Sequence, residues 1–436
     1  MRCWLSFLLV GMLLLTGMAV AEADGDDWTA AAQAQLKLFL DGDFAALRAE
    51  MTDELAGALT EDALASSLES LGEATEQAFL DESEEQGYHI VRFVVKQAGV
   101  EYVYRFALDD EARLAGWQIG LNAGAAEATN APAADVYTEA ITLRPGQPDE
   151  TEGILTLPAA EGTFPAVILV QGSGPSDRNE SAYGIAPFQD IAEGLARRGI
   201  ASIRYDKYTY AHADRITDVN AFTVDDEYAY DAQAALDVLS ADERIGEIYL
   251  LGHSQGGMLM PRIISELGAE HFSGGISLAG SPLHLWQIQL SQNQAIIETL
   301  SGQQKEEAQQ AIDAEMEKLD AMAGWSEEER KQNTFFGISA YYQWDEMSVD
   351  AAQAARDNGV PVLVLQGNAD WQVTPENGSE AWREALPEAE IRCFDNLTHL
   401  FTAVESPTGT TADYVSGSRV SEDVIDAIAA WIMKAK

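Results

Sequence analysis

The chain has 436 residues, 47% hydrophobic and 22% charged, a balance typical of two or three folded domains and not of a disordered chain. Its 72 acidic and 26 basic residues give a formal net charge of −46, which repels phosphate backbones and anionic membrane surfaces. The charge therefore excludes nucleic acid as a partner and argues against a polyanionic substrate.

Residues 1–23 have the composition of a secretory signal peptide. Arg2 supplies the positive charge, an apolar run covers 4–20, and small residues offer cleavage near Ala21 or Ala23. We expect the mature protein to be secreted or held at the cell surface, with no integral membrane span after cleavage. The alternative is an uncleaved anchor, although the apolar run is short for a membrane span of about 20 residues.

Residues 24–125 are predicted to form a small α+β domain. Helical periodicity is followed by alternating, extended segments, which favours a sheet with its helices on one side. The predicted helices cover 28–40, 44–51 and 61–71, and the predicted strands cover 88–97, 100–108 and 113–119. Residues 126–135, rich in alanine with one proline, lack an apolar period and are predicted to be a linker.

The pattern changes over residues 136–436, where short strands that are apolar on both faces alternate with helices. Such strands indicate a mostly parallel, doubly wound sheet that is covered on both sides. The alternation stops at about 283–350, which we interpret as a helical cap inserted above the sheet. The predicted strands cover 166–170, 200–205, 248–252, 275–279, 360–366 and 390–394.

The segment Ile248–Gly257 reads IYLLGHSQGG and places G-x-S-x-G between a strand and a helix. This context is that of a nucleophile elbow, whose tight turn exposes the serine hydroxyl and aims a helix N-terminus at the reacting carbonyl. The alternative is an ordinary Gly/Ser turn that joins a strand to a helix. We predict Ser254 as the nucleophile.

A serine nucleophile needs a base and a carboxylate that orients it, in the chain order serine, acid, histidine. Of the six histidines, His399 alone follows the late strand at 360–366. Asp370, in GNADWQVTP, is the first carboxylate after that strand. We predict His399 as the base and Asp370 as its orienting acid; the alternatives are a solvated loop histidine and a loop-capping aspartate.

An oxyanion hole needs two backbone N–H groups that converge on the developing negative charge. One is expected from Gln255, next after the nucleophile. The other is expected from the loop QGSGP, with the Ser173 N–H as first choice and the Gly174 N–H as second. The sequence contains no metal-ligand spacing, phosphate loop or dinucleotide fingerprint, so neither a metal nor another cofactor is implied.

The predicted cap is rich in aromatic residues. We expect Trp286, Phe335 and Tyr341 to line a substrate pocket over Ser254 through apolar contacts. The alternative is that these rings form a small core within the cap itself.

Residues 135–436 resemble bacterial α/β-hydrolases of the secreted esterase or serine-aminopeptidase-like kind, through QGSGPSDRN, PFQDIAEGLARRGIASIRYDK, LLGHSQGG, VPVLVLQGNADWQVTP and NLTHLF. Residues 38–119 resemble a small domain of unknown function that often precedes such hydrolases, through the pattern DGDF…LTEDAL…GYHIVRFVV…WQIG. The resemblance implies an α/β-hydrolase fold with a helical cap, preceded by a small α+β domain. Gln171 stands where the family commonly has a histidine, but the hole needs backbone donors alone, so activity is still expected.

These observations leave three functions open. The first is a serine esterase of the carboxylesterase type, which cleaves small-molecule acyl esters through a Ser-His-Asp triad and an acyl-enzyme. The second is a peptidase or amidase that uses the same triad. The third and weakest is a non-catalytic binding protein. Activity on short esters, on aminoacyl anilides or on neither would distinguish the three.

Overall fold

A computed structural model describes residues 26–52, 55–56, 59–85, 88–97, 100–121, 135–216 and 218–434. The predicted signal peptide and, apart from Asp135, the predicted linker lie outside these residues. The chain divides into two compact units, residues 1–125 and 126–436. Within the described ranges no helix is both long and apolar enough to cross a membrane.

The first unit packs three helices against a four-stranded antiparallel sheet. Buried residues from both layers, among them Phe39 and Tyr104, form its core. Strand β1 was not predicted, because its sequence ATEQAFLDESEE is acidic; an edge strand tolerates such a sequence since one of its sides faces solvent. The elements are α1 (Asp26–Leu40), α2 (Phe44–Ala49), α3 (Glu61–Leu71), β1 (Ala74–Glu85), β2 (Tyr88–Gln97), β3 (Val100–Leu108) and β4 (Leu114–Leu121).

The second unit contains an eight-stranded sheet in the order β14-β13-β10-β9-β7-β8-β6-β5. β5 and β6 run antiparallel to their neighbours, and the other pairs are parallel. The two antiparallel strands were not predicted. The strands are β5 (Val136–Leu143), β6 (Thr151–Pro158), β7 (Phe164–Val170), β8 (Ala201–Tyr205), β9 (Ile245–His253), β10 (Gly274–Leu278), β13 (Val362–Gly367) and β14 (Glu390–Phe394).

Helices cover both faces of this sheet. Successive residues of β7 point to opposite faces, so Ile168 enters one hydrophobic cluster and Leu169 the other, which explains why the strand is apolar throughout. The expected mostly parallel, doubly wound sheet is confirmed. The helices are α4 (Pro187–Arg197), the short α5 (Tyr208–Ala211), a π-helix (Asp225–Ala229), α6 (Tyr230–Ala241), α7 (Gln255–Leu267), α12 (Ala351–Asn358), α13 (Ala381–Ala385) and α14 (Glu422–Lys434).

The chain leaves the sheet after β10 and forms a mainly helical insertion before α12, as expected for a cap. Its residues Met322, Phe335 and Ala340 are buried together in a cluster of its own. The insertion consists of α8 (Leu285–Thr299), α9 (Gly302–Met322), α10 (Glu327–Gln332), a hairpin of β11 (Thr334–Phe335) and β12 (Ile338–Ser339), and α11 (Ala340–Glu346).

Candidate active site

Ser254 occupies a strained turn between β9 and α7. Its φ of 52° and ψ of −119° lie in a region that side-chain-bearing residues rarely adopt, as a nucleophile elbow requires. The flanking glycines are needed for close approach. A Cβ on Gly252 would lie 2.0 Å from the Gly256 carbonyl oxygen, and one on Gly256 would lie 2.4 Å from that of Gln171. The turn leaves the Ser254 side chain partly exposed.

The predicted acid and base meet in the loops that follow β13 and β14. His399 Nδ1 lies 2.7 Å from Asp370 Oδ2, and both residues are buried. The other carboxylate oxygen, Oδ1, accepts the backbone N–H groups of Gln372 and Val373, each at 2.9 Å. With Asp370 fixed in this way, a neutral imidazole at His399 would carry its hydrogen on Nδ1 and leave Nε2 unprotonated.

None of the hydrogen bonds among the described residues joins the Ser254 hydroxyl to His399, a common situation before substrate binds. The two residues are instead linked through His253, which precedes the serine. His253 Nε2 lies 3.0 Å from the His399 carbonyl oxygen, and the ring centroids of the two histidines are 4.8 Å apart. The elbow and the loop of the base are therefore held together by a side chain to which the sequence assigned no catalytic role.

The other nitrogen of that ring, His253 Nδ1, lies 2.9 Å from Glu180 Oε1. Both partners of the ring are acceptors, so the arrangement suits the protonated imidazole, which carries hydrogen on both nitrogens. Burial disfavours that charge, but the Glu180 carboxylate, the His399 carbonyl and the Asp370 charge together outweigh it, and the pKa of His253 is raised above its ordinary value. The adjacency of His253 to Ser254 was the one sequence signal for this contact.

The loop QGSGP after β7 lies against the elbow, since a Cβ on Gly172 would be 3.0 Å from Ser254 Cβ. The N–H of Gly172 is already used, because it donates to Glu180 Oε1 at 2.6 Å. In the described part of the chain, the N–H groups of Ser173, Gly174 and Gln255 have no acceptor. All three predicted oxyanion donors are thus free to bind a ligand oxygen.

A buried polar cluster lies behind this loop and was not predicted. Its side chains are Lys207, Glu227, Tyr228 and Tyr342, which share hydrogen bonds with one another and with Gln255. They come from the loop after β8, the π-helix and α11. The sequence feature that could have indicated this cluster is Lys207, a charged residue that closely follows a strand buried throughout.

The predicted pocket residues have different surroundings. Phe335 is wholly buried in the insertion's own cluster, so its assignment to the substrate pocket is wrong; it fills the core of the cap. Trp286 is half-buried, with its ring 6.3 Å from that of Phe335. Tyr341 is also half-buried, and the Lys331 ammonium lies 4.6 Å from its ring centroid. The small-core interpretation therefore holds for Phe335, and the pocket role of the other two stays a prediction.

Comparison with known proteins identifies relatives of this chain. A family model described as serine aminopeptidase, S33 (Hydrolase_4) matches residues 184–406. The esterase EstD of Thermotoga maritima is 32% identical over 286 residues, a match that spans 65% of this chain and 65% of that relative's length.

Solved structures also resemble the chain. Est1E from Butyrivibrio proteoclasticus has a TM-score of 0.44 at 16% identity and covers 68% of this chain and 98% of its own. A proline iminopeptidase from Mycobacterium smegmatis has a TM-score of 0.42 at 17% identity, with the same two coverages of 68% and 98%.

Proposed function

The chain belongs to the serine aminopeptidase S33 family, and from that premise we propose that it is a serine hydrolase that cleaves carboxylic esters of small molecules. The observation that carries the proposal is the 2.7 Å contact between His399 and Asp370, beside a strained elbow that exposes Ser254. The name of the relative EstD, an esterase, favours esters over amides. The proposed active unit is residues 136–436.

In the proposed reaction the Ser254 hydroxyl attacks the ester carbonyl while His399 Nε2 takes its proton. The N–H groups of Gln255 and Ser173 stabilise the resulting oxyanion, and Asp370 stabilises the imidazolium. His399 then protonates the departing alcohol, which leaves an acyl-enzyme. A water molecule activated by His399 hydrolyses the acyl group and restores the serine.

The test compares p-nitrophenyl esters with aminoacyl p-nitroanilides and follows labelling by a fluorophosphonate probe. We expect turnover of the esters and labelling of the wild type, with both lost in Ser254→Ala. Ser265→Ala is the matched control: this hydroxyl lies on α7, the helix that follows Ser254, and bonds to Pro261 O and Asn358, so labelling should persist. Labelling that persists in Ser254→Ala would contradict the proposal, and turnover of the anilides alone would favour the peptidase.

The other two residues should differ in their effects. His399→Ala should approach the loss seen in Ser254→Ala, because it removes the proton acceptor. Asp370→Asn should lower kcat by about 10⁴-fold, since an amide favours the wrong imidazole tautomer. A loss of less than about tenfold in kcat for Asp370→Asn would argue against its role.

We also propose that residues 1–23 direct secretion. The support is compositional, and amino-terminal sequencing of exported protein tests it. Cleavage near Ala21 or Ala23 is expected, and an intact amino terminus would favour the anchor.

A further inference from the structure

The loop that would bind the oxyanion is held from behind by a buried lysine. Lys207 is 1% exposed, and its ammonium donates to Gly172 O at 2.9 Å, Gly174 O at 3.1 Å and Glu227 Oε1 at 2.6 Å. These are three acceptors for the three hydrogens of an ammonium group. Burial lowers the pKa of Lys207, and the Glu227 carboxylate opposes that shift.

Tyr228 connects the two parts of the predicted oxyanion hole. Its hydroxyl lies 2.9 Å from Gly172 O and 3.1 Å from Gln255 Oε1, and its single hydrogen is shared between these acceptors. The ammonium of Lys207 lies 3.9 Å from the centroid of the Tyr228 ring. One buried hydroxyl therefore contacts both the peptide that precedes Ser173 and the side chain of Gln255.

The cluster is closed by a residue of the insertion. Gln255 Nε2 donates to the Tyr342 hydroxyl at 3.0 Å, and that hydroxyl donates to Glu227 Oε2 at 2.6 Å. Both carboxylate oxygens of Glu227 are thus bonded, one to Lys207 and one to Tyr342. The side chain of Gln255 can change its orientation only if these bonds break.

Because the peptide bond is planar, the contacts of the Gly172 carbonyl oxygen fix the direction of the Ser173 N–H. In a trans peptide the carbonyl oxygen of one residue and the N–H of the next point to opposite sides. Because Lys207 and Tyr228 hold Gly172 O on their side of the loop, the N–H of Ser173 points away from them. The N–H of Gly172 is bonded to Glu180, and Pro175 has none, so the Gly174 N–H is the remaining competitor among residues 172–175.

We propose that Lys207 and Tyr228 are positioning residues for ester hydrolysis: they fix the Gly172–Ser173 peptide so that its N–H faces the oxyanion. The inference rests on the proposed function and deepens it. It favours Ser173 over Gly174 as the loop donor, because the peptide that carries the Ser173 N–H is the one held at its carbonyl oxygen. It also explains why the buried Lys207–Glu227 ion pair is present. For stability alone, an apolar pair of similar volume often serves as well as a buried ion pair.

The first variant for the test is Tyr228→Phe, which removes one hydroxyl and keeps the ring. Removal of a whole oxyanion donor costs about 10²- to 10³-fold in kcat, so loss of one of its supports should cost about 10- to 100-fold, with KM changed less than about twofold. The matched control is Tyr104→Phe in the first unit, which also removes a buried, hydrogen-bonded hydroxyl and should leave kcat unchanged.

The discriminating measurement is inhibition by a trifluoromethyl ketone, which forms an anionic adduct with the serine. Its inhibition constant for Tyr228→Phe should rise by about the factor by which kcat falls. A merely structural role would reduce the fraction of folded enzyme and lower the apparent kcat, but would leave the inhibition constant unchanged. That result would overturn the inference.

The second variant is the double change Lys207→Met with Glu227→Gln, which leaves no unpaired buried charge. It should show the same pattern, a loss in kcat with a matching rise in the inhibition constant. If the wild type neither turns over esters nor labels at Ser254, the proposed function fails first. If the wild type does both, but Tyr228→Phe and the double variant match it in kcat and inhibition, this inference alone fails.

Discussion

Gly256→Ala tests how closely the elbow approaches the loop QGSGP, from which an oxyanion donor is predicted. A Cβ at this position would lie 2.4 Å from Gln171 O and 2.6 Å from Val170 O, and both obstacles are backbone atoms. Ordinary contact begins at 3.4 Å, so the shortfalls are 1.0 and 0.8 Å. Since a backbone cannot rotate out of the way as a side chain does, either the start of α7 or the end of β7 must move.

The size of this displacement sets the expected losses of activity and of stability. A misplacement of about 1 Å between reacting groups can lower the rate about 100-fold, and overpacking costs about 1–3 kcal/mol in the free energy of unfolding. Gly256→Ala should therefore lower kcat/KM for p-nitrophenyl butyrate by about 100-fold. Because alanine favours a helix over glycine by about 1 kcal/mol, the net destabilisation should be near 2 kcal/mol or less.

Gly194→Ala on α4 is the matched control. Its Cβ would lie 2.7 Å from Ile425 Cδ1 and 2.8 Å from Ile425 Cγ2, a comparable overlap, but with a side chain and not with the backbone. This variant should keep wild-type kcat/KM, and its denaturant midpoint reports the cost of overpacking offset by the same gain in helix propensity, without displacement of the elbow. If Gly256→Ala retains kcat/KM within about threefold, the backbone contact does not place the elbow, and the steric argument is refuted.

Three further predictions follow from the site and the domain organisation. His253→Gln should cost about 1–3 kcal/mol, because an amide can donate to Glu180 but removes the buried positive charge opposite it; the raised pKa of His253 means that the melting-temperature difference from wild type is largest below pH 6.5 and shrinks as pH rises through that pKa. A chain that begins at Pro132 should keep turnover of small esters, because every proposed catalytic residue follows that point; a folded but inactive product would contradict this. Trp286→Ala and Tyr341→Ala should change the ranking of acetate, butyrate and octanoate esters; an unchanged ranking in both would make the insertion a structural element only.

Strands with a clear apolar pattern, continuous in β7 and alternating in β2, could be predicted, whereas the more polar strands β1 and β5 could not. In β7, Ile168 and Leu169 enter different clusters, so burial on both sides leaves a continuous apolar run in the sequence. β5 alternates half-buried and exposed residues, and β1 is acidic at a sheet edge. Neither leaves such a run, because solvent on one side relaxes the requirement for apolar side chains.

The residues of the site also differ in whether the sequence alone could predict them. Ser254, Asp370 and His399 follow the carboxyl ends of strands in a fixed chain order, which sequence patterns record. The residues of the buried polar cluster follow no such fixed order along the chain. Glu227 bonds to Lys207, 20 residues away, and to Tyr342, 115 residues away, so only the folded chain brings these groups together. Phe335 failed as a pocket residue because aromatic content does not tell a core from a surface.

The hydroxyl of Tyr342 has a consequence for protein engineering. One way to engineer a new substrate range in enzymes of this architecture is to replace the whole cap with another one. Here the cap contributes a hydrogen-bond partner to Gln255, whose backbone is proposed to act in the chemical step. A transplanted cap without a hydroxyl at that position would alter turnover together with selectivity, so the boundary of the exchangeable module lies before α11, and Ala340–Glu346 belongs with the recipient.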